Sequence, residues 1–574
     1  MMLTESTQAN AIQLSATAGA LLLAYYIVPY MVDPYGYRRR FNGPWLAAFT
    51  NMWSSNAARG GRRSEIIREL HMKHGTFVRI GPNHISIADP AALEAVYGQG
   101  SGLLKSDFYD SFVTKEVDIF SAQDKAVHAA KRKRIANVFS QQNILAYQPR
   151  VRRLIQQLCD QWDMRCDEAS RNVSGFNWTA KDGKAVIDCC PREFAPIRIC
   201  QPILTHVRSR SLAEFAYLAF DIIGDLALGV PFRLIEAQKD AAPIAPSTST
   251  LQQIETEKLE HVPVIRIMLN GATTAASVGS FPSWAQKIMR FVPWHITGFT
   301  EQLNLVRLAI AALNSRLEKG PQTLIDGCAS VDMVDKFLEI RNEDGSQLSR
   351  EELLSEAIIL LGAGSDTTSN TLSALCYYLS ANPAVQRRLQ AELDQHVPTR
   401  SESADGPFSA VVEYGQVKNL PYLDACVKET FRLYSTLGTG LPRIVPPGKT
   451  FVFGGQTFKA GSVISVPMFT TNRAGIWGPD ADVFRPERWL EENFTSSYNK
   501  YYAPFSTGPR ACIGRNLALM DILLAVATIY RRYDIELAHP TTKLQVTEAF
   551  ARTTVHCDVA IKRREITGKS SPTI

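Results

Sequence analysis

Apolar residues recur along this chain mainly at helical spacing. From Ser6 to Val32 no side chain is charged, and Ala11 to Val32 is mostly apolar. At about 1.5 Å per residue, a helix of that length crosses roughly 30 Å of hydrocarbon. From about residue 60 onward periodic apolar segments follow one another with only short polar breaks, such as Pro398 to Pro407. This predicts one large domain, mainly α with a small β part. The expected spans are a short tail over 1–10, a transmembrane anchor over 11–32, a linker over 33–59 and a catalytic domain over 60–574. Two stretches stand apart. Glu352 to Tyr378 is apolar at helical spacing, yet its interior carries Gly362, Gly364, Ser365, Asp366, Thr367 and Thr368, polarity that is costly in a buried helix unless it serves something. Cys189 to Leu212 has three prolines, three of the ten cysteines and no helical period. A long structureless insert is anomalous in a compact domain. It reads either as translated intron from a mistaken gene model or as a surface loop; adjacent cysteines are poor metal-ligand spacing.

The charges around the first apolar run set its orientation. A cleaved export signal places basic residues before its apolar stretch, whereas here only Glu5 is charged before it and Arg38, Arg39 and Arg40 follow. Positive charge stays on the cytoplasmic side, so the expectation is an uncleaved single-pass anchor in contact with membrane lipid and a cytosolic domain. Scattered cysteines in a reducing compartment are not a disulfide framework. A hydrophobic content of 45% and a charged content of 21% are ordinary for a large folded core. The net charge of +6 gives no reason to expect nucleic acid. Its densest concentration is Lys131-Arg132-Lys133-Arg134, inside the helical run His128 to Phe139, which reads either as a solvated face or as a docking surface for an acidic partner.

The sharpest chemical signal is Phe505-Ser506-Thr507-Gly508-Pro509-Arg510-Ala511-Cys512-Ile513-Gly514. Gly508 and Gly514 permit close backbone approach, so Cys512 is placed to act as the axial ligand of a haem iron. A thiolate in that role pushes electron density onto the iron and favours O–O cleavage.

The frame Phe-x-x-Gly-x-Arg-x-Cys-x-Gly resembles the haem-binding signature of the cytochrome P-450 superfamily. Three further stretches resemble its other motifs in the expected order: Ala363-Gly364-Ser365-Asp366-Thr367-Thr368 its oxygen-binding helix, Glu429-Thr430-Phe431-Arg432 its Glu-x-x-Arg pair, and Phe484-Arg485-Pro486-Glu487-Arg488-Trp489 its meander. The resemblance covers roughly residues 40 to 562. More narrowly, Lys105 to Val113, Ile358 to Asn370 and Pro504 to Leu517 resemble fungal microsomal enzymes of the benzoate 4-monooxygenase group and related secondary-metabolite monooxygenases.

The resemblance implies a cytochrome P-450 fold behind a single membrane helix in the endoplasmic reticulum. It implies haem b with Cys512 as metal ligand, O2, an NADPH-cytochrome P-450 reductase, and an apolar aromatic, polyketide or terpenoid-type substrate. Phe505, Gly508, Gly514 and Ala363 would contact the haem. Arg132, His128, Arg443 and Arg510 would hold its propionates, His128 standing where many members have tryptophan. Glu429, Arg432 and Arg488 would brace the cysteine loop. Glycines and back-bonding hydroxyls would open the oxygen-binding helix locally, with Thr367 holding a water and Asp366 relaying protons. Phe108, Phe112, Leu360, Leu437, Leu441 and Phe550 are the candidate substrate contacts. The other readings are haem-thiolate chemistry without oxygen insertion (isomerisation, dehydration or oxidative coupling) and a haem-binding protein without turnover. The Asp366-Thr367 pair argues against both, since neither needs controlled proton delivery.

Overall fold

The computed structural model describes residues 2–188, 214–248, 260–320, 324–325, 328–329, 331–342, 344–397, 411–491, 498–548 and 550–564. The anomalous stretch Cys189 to Leu212 and the polar break Pro398 to Pro407 lie outside them. The helices that organise the molecule are α1 (Met2–Met31), α2 (Arg63–His74), α3 (Lys125–Ile135), α4 (Gln141–Ser170), α5 (Glu214–Ala227), α6 (Val264–Val278), α7 (Ser283–Met289), α8 (Pro293–Lys319), α9 (Arg350–Ala381), α10 (Pro383–His396), α11 (Pro421–Tyr434) and α12 (Arg515–Arg532).

Local chemistry fixes where they begin. The Asp124 carboxylate accepts the N–H groups of Ala126 at 2.8 Å and Val127 at 2.9 Å to start α3, and Ser349 Oγ accepts the N–H of Glu352 at 3.0 Å to start α9. Pro383 and Pro421 stand in the first turns of α10 and α11, where a missing N–H costs nothing.

Helix α9 is the axis of the core. It packs against α5, α8, α11 and α12 and buries Leu353, Leu354, Ala357, Leu361, Leu372, Leu375 and Leu379. Every residue of α5 is buried, as befits an interior helix that is apolar nearly all round. The glycines of α9 set the spacing of this packing. A Cβ at Gly364 would lie 2.8 Å from Ile223 Cδ1 on α5, and one at Gly362 2.8 Å from Met268 Cε on α6.

The β part flanks this helical core. β1 (Phe77–Arg79), β2 (His84–Ile87), β3 (Leu104–Lys105), β6 (Arg443–Ile444) and β7 (Val463–Ser465) form a five-stranded sheet in the order β1-β2-β7-β6-β3. β4 (Thr179–Lys181), β5 (Lys184–Asp188), β8 (Tyr533–Leu537) and β11 (Asp558–Arg563) form a second sheet in the order β8-β11-β5-β4, and β9 (Gln545–Glu548) pairs with β10 (Arg552–His556).

The amino terminus differs from expectation in two respects. Helix α1 begins at Met2 rather than near Ala11, and among the described residues no helix is long and apolar enough to cross a membrane. Its C-terminal turns rest on the domain: Tyr26 Oη accepts the N–H of Asn51 at 2.9 Å, and the Tyr26 ring lies 5.9 Å from Trp284. Residues 33–59, expected as a linker, belong to the domain. Tyr37 and Phe41 are buried with Ile85, Phe458 and Ile464, because an aromatic pair in a short connection has nowhere better to go than the adjacent sheet.

Candidate active site

The cysteine loop closes on itself before α12. Phe505 O accepts the N–H of Cys512 at 2.9 Å, and Gly508 O accepts that of Ala511 at 3.1 Å. Gly508 has φ +70°, and a Cβ there would lie 2.4 Å from Tyr97 O, so only glycine lets the loop seat on the backbone of residues 97–99. Gly514 is different. Its φ is −81°, and a Cβ would meet only Cys512 Sγ and Phe139 Cε1 at 4.0 Å, so the protein itself does not demand glycine there. Among the described free cysteines Cys512 alone is exposed. Burial nevertheless pushes its thiol pKa up, opposed by the N–H groups of Gly514 and Arg515 and by the charge of Arg132. The residue is thus reachable while its thiol is partly desolvated, and those donors favour the thiolate against that burial.

Basic groups converge beside this loop. Burial first, then Arg510, Lys105, Arg132 and Arg443, push the buried His128 down to about 3. Arg443 is buried, donates from Nη1 to Tyr109 Oη at 2.7 Å, lies 4.9 Å from the Tyr97 ring centroid, and leaves Nη2 without a partner. Arg510 donates from Nη2 to Gln123 O at 3.0 Å and Asp124 O at 3.1 Å, and Arg132 from Nη1 to Ala511 O at 2.7 Å. These acceptors are carbonyls, which leave the positive charges largely uncompensated. Asp118 acts on Lys105 and Asp124 on Arg510. A cluster of this kind fits an anionic group of two carboxylates, for which the Nη2 of Arg443 is an unused donor. Sequence reading missed Lys105. Its ammonium is buried over the Tyr109 ring at 4.3 Å, and its strand β3 pairs with β6 in the register Arg443↔Lys105; a lone lysine before an aromatic run was the available signal.

Two expected members of the docking surface are used internally. Lys131 is buried and pairs with Glu352 at 2.7 Å and Glu356 at 3.2 Å, and Arg134 pairs with the same Glu352 and donates to Asn342 Oδ1 at 2.6 Å. They tie α3 to the start of α9, since a lysine facing two glutamates across a helix contact is better paired than hydrated. Lys133 is exposed.

Glu429, Arg432 and Arg488 come together with no side-chain exposure. The Glu429 carboxylate accepts from Arg432 Nε at 2.9 Å and Nη2 at 2.8 Å, from Arg488 Nε at 3.0 Å and from Trp489 Nε1 at 3.0 Å. Arg432 and Arg488 spend their other donors on carbonyls of Asn472, Ala481 and Trp477. The knot thus fastens α11 to residues 472–489. It meets the cysteine loop through rings: Phe431 lies 5.1 Å from Phe505 and Trp489 4.6 Å from Tyr502.

Helix α9 runs without the expected opening. Ser365 Oγ donates to Leu361 O at 2.7 Å, Thr367 Oγ1 to Ala363 O at 2.7 Å and Thr371 Oγ1 to Thr367 O at 2.8 Å, and the helix stays α from Arg350 to Ala381, because each hydroxyl shares a carbonyl instead of displacing its N–H. Ala363 is exposed and Thr367 half-buried. Burial pushes the Asp366 carboxyl up to about 6. It accepts from Asn370 Nδ2 at 2.7 Å, whose Oδ1 accepts from the N–H of Thr554 at 2.9 Å. Asp366, Ser369, Asn370, Ser373 and Thr553, with Phe220, Ile265, Met268 and Leu269, line a mostly apolar cavity of about 20 Å³, large enough for a water.

The substrate-side candidates divide. Phe108, Phe112 and Phe550 form one cluster with Phe120, centroids 5.0 to 6.2 Å apart. Leu441 packs against the five-stranded sheet instead, and Leu360 belongs to the main helical core. Leu437 is half-buried.

The cytochrome P-450 family model matches residues 208–559. The chain is 35% identical over 550 residues to a benzoate 4-monooxygenase of Aspergillus niger, covering 95% of this chain and 96% of that one. It is 29% identical over 505 residues to a pisatin demethylase of Fusarium vanettenii, covering 87% and 84%, and 28% identical over 540 residues to a cytochrome P-450 monooxygenase of Emericella nidulans, covering 91% and 94%. The chain belongs to the cytochrome P-450 family and is a monooxygenase whose cofactor is haem b held by a cysteine thiolate.

Proposed function

We propose that this monooxygenase hydroxylates or otherwise oxidises a small aromatic molecule with O2 and electrons passed from NADPH by a reductase, at the endoplasmic reticulum membrane. The observation that carries the reading is the exposed Cys512 in its closed loop, with Arg132 acting on its thiol and His128, Arg443 and Arg510 gathered beside it. The bound haem supplies oxygen activation. Cys512 is its ligand, held ready by the N–H groups of Gly514 and Arg515. Arg443, Arg132, Arg510 and Lys105 would offset the charge of the propionates, and His128, an uncharged imidazole, would donate a hydrogen bond to one. Thr367 presents its hydroxyl from the exposed side of α9, and Asp366, whose carboxyl burial pushes up to about 6, takes and returns protons from the internal cavity it lines with Asn370 and Thr553. The rings of Phe108, Phe112 and Phe550 exclude water and receive the apolar body of the substrate. Membrane association is supported by the foot of α1, where Tyr25 lies 5.6 Å from Trp284, next in sequence to the exposed Ile288, Phe291, Trp294 and Ile296. Microsomes supplied with NADPH, 18O2 and benzoate, cinnamate and their neutral analogues test the reading. One labelled oxygen atom should appear in the product of at least one aromatic; turnover without label would point to isomerase or dehydratase chemistry instead.

A further inference from the structure

We propose that Asn370 is a positioning residue for proton delivery: it grips Asp366 so that the carboxyl is held by Oδ1 and carries its proton on Oδ2. The inference deepens the monooxygenase reading and rests on Asp366 as its proton relay. Asn370 lies one turn after Asp366 on α9 and is 3% exposed. Its Nδ2 donates to Asp366 Oδ1 at 2.7 Å and to Asp366 O at 2.7 Å. Its Oδ1 accepts the N–H of Thr554 at 2.9 Å and the Thr554 hydroxyl at 3.1 Å. A primary amide has two hydrogens to give and two lone pairs to fill. Every bond open to Asn370 is therefore made, and all four go to two residues.

This complement fixes which way the amide faces. A main-chain N–H can only donate, so the partner of Thr554 N is the amide oxygen, and the nitrogen is left facing Asp366. Asn370 is thus a donor to Asp366 and never an acceptor from it. A proton on Oδ1 would crowd the amide hydrogen bonded there, which leaves Oδ2 to carry it. Ser369 Oγ donates to Asp366 O at 3.1 Å, so main chain and side chain of the acid are held together. The anchor is a strand residue 184 positions away, on β10. Among the described residues no charged side chain acts on this carboxyl. Burial raises it, Asn370 is the first group to oppose that, and Thr553 Oγ1 adds to the opposition without a well-formed hydrogen bond of its own.

Asn370→Ala and Asn370→Leu test this beside Asp366→Asn. Neither variant can make the amide bonds, and leucine keeps the volume of the asparagine. Thermal unfolding of the holoenzyme across pH 4.5 to 8.5, with and without Asp366→Asn in each background, isolates what the carboxyl contributes. In wild type that contribution falls as pH rises and levels above about 6. An Asn370 variant should move the levelling point up by at least about one pH unit, because the ionised carboxyl has lost its donor. Product formed per NADPH, from benzoate or cinnamate, should fall at least about fivefold while NADPH consumption changes less than about twofold. Wild-type coupling in Asp366→Asn would sink the relay and this proposal with it. Lost coupling there, with smaller effects in the Asn370 variants, would sink the positioning alone. Where neither acid is oxidised, the unfolding series alone decides. Where one Asn370 variant loads no haem the other decides, and loss of haem in both would make the residue structural and overturn the proposal.

Discussion

Thr367 and Asp366 sit on consecutive positions of one helix but face different surroundings, and that division is what a proton relay needs. Thr367 bonds Ala363 O on the exposed side, while Asp366 is held by Asn370 beside an internal cavity. Thr367→Ala should keep its haem yet consume NADPH with product yield per NADPH down at least about tenfold, the scale of a lost positioned proton donor; oxygen then leaves as peroxide. Assays of product, NADPH and peroxide check this, and tight coupling would remove Thr367 from the relay. The raised Asp366 carboxyl has a second consequence. A folded pKa of about 6 against an ordinary value near 3.9 means the native state binds the proton more tightly, so stability falls as pH rises from about 4 through about 6 and is constant above. Asp366→Asn lacks that loss. Thermal unfolding should show the variant gaining relative to wild type between pH 4.5 and 7, and a constant difference would contradict the assignment.

Cys512, Arg432 and Asp366 were legible because each sits in a spaced motif. Lys105 was not: a lone lysine before an aromatic run is a faint signal, and only the packed neighbours show that its two-residue strand turns the charge inward.

At the level of elements, the described chain is tied by a few fully buried knots. Glu429 holds two guanidiniums and an indole at once, and removing its charge takes from Arg432 the carboxylate it pairs with and leaves Arg488 with Asp480. Glu429→Gln should cost about 3–5 kcal/mol, read as a lowered denaturant midpoint and little haem-loaded protein; full loading at wild-type stability would show the knot to be dispensable. Gly508→Ala should act alike, through a Cβ driven into Tyr97 O, whereas Gly514→Ala should be far milder. The sequence motif marks both glycines alike, because a motif records that glycine is present and not what its missing Cβ would touch. Helical periodicity anticipated α9, but not that its hydroxyls bond back without opening it. The same limit applies to Lys131 and Arg134, whose pairing with α9 joins residues more than 200 positions apart.

Over the whole molecule, two sheets and a helical core place the cysteine loop, the cation cluster and the aromatic cluster in one domain that includes residues 33–59. The exposed apolar side chains of α7 and α8 lie next to the foot of α1, so membrane attachment should have two parts. Deleting residues 1–31 alone should leave a fraction on microsomes, and adding Phe291→Asp and Trp294→Asp should release most of it; complete release by the deletion alone would leave that face without a role.

Cys512 as the iron ligand is most directly tested by the reduced, carbon monoxide-bound absorption spectrum of wild type and Cys512→Ala. Wild type should show the red-shifted Soret band of thiolate ligation and the alanine variant none. A variant that keeps the band would contradict the assignment of the ligand, and with it the site built around that sulfur.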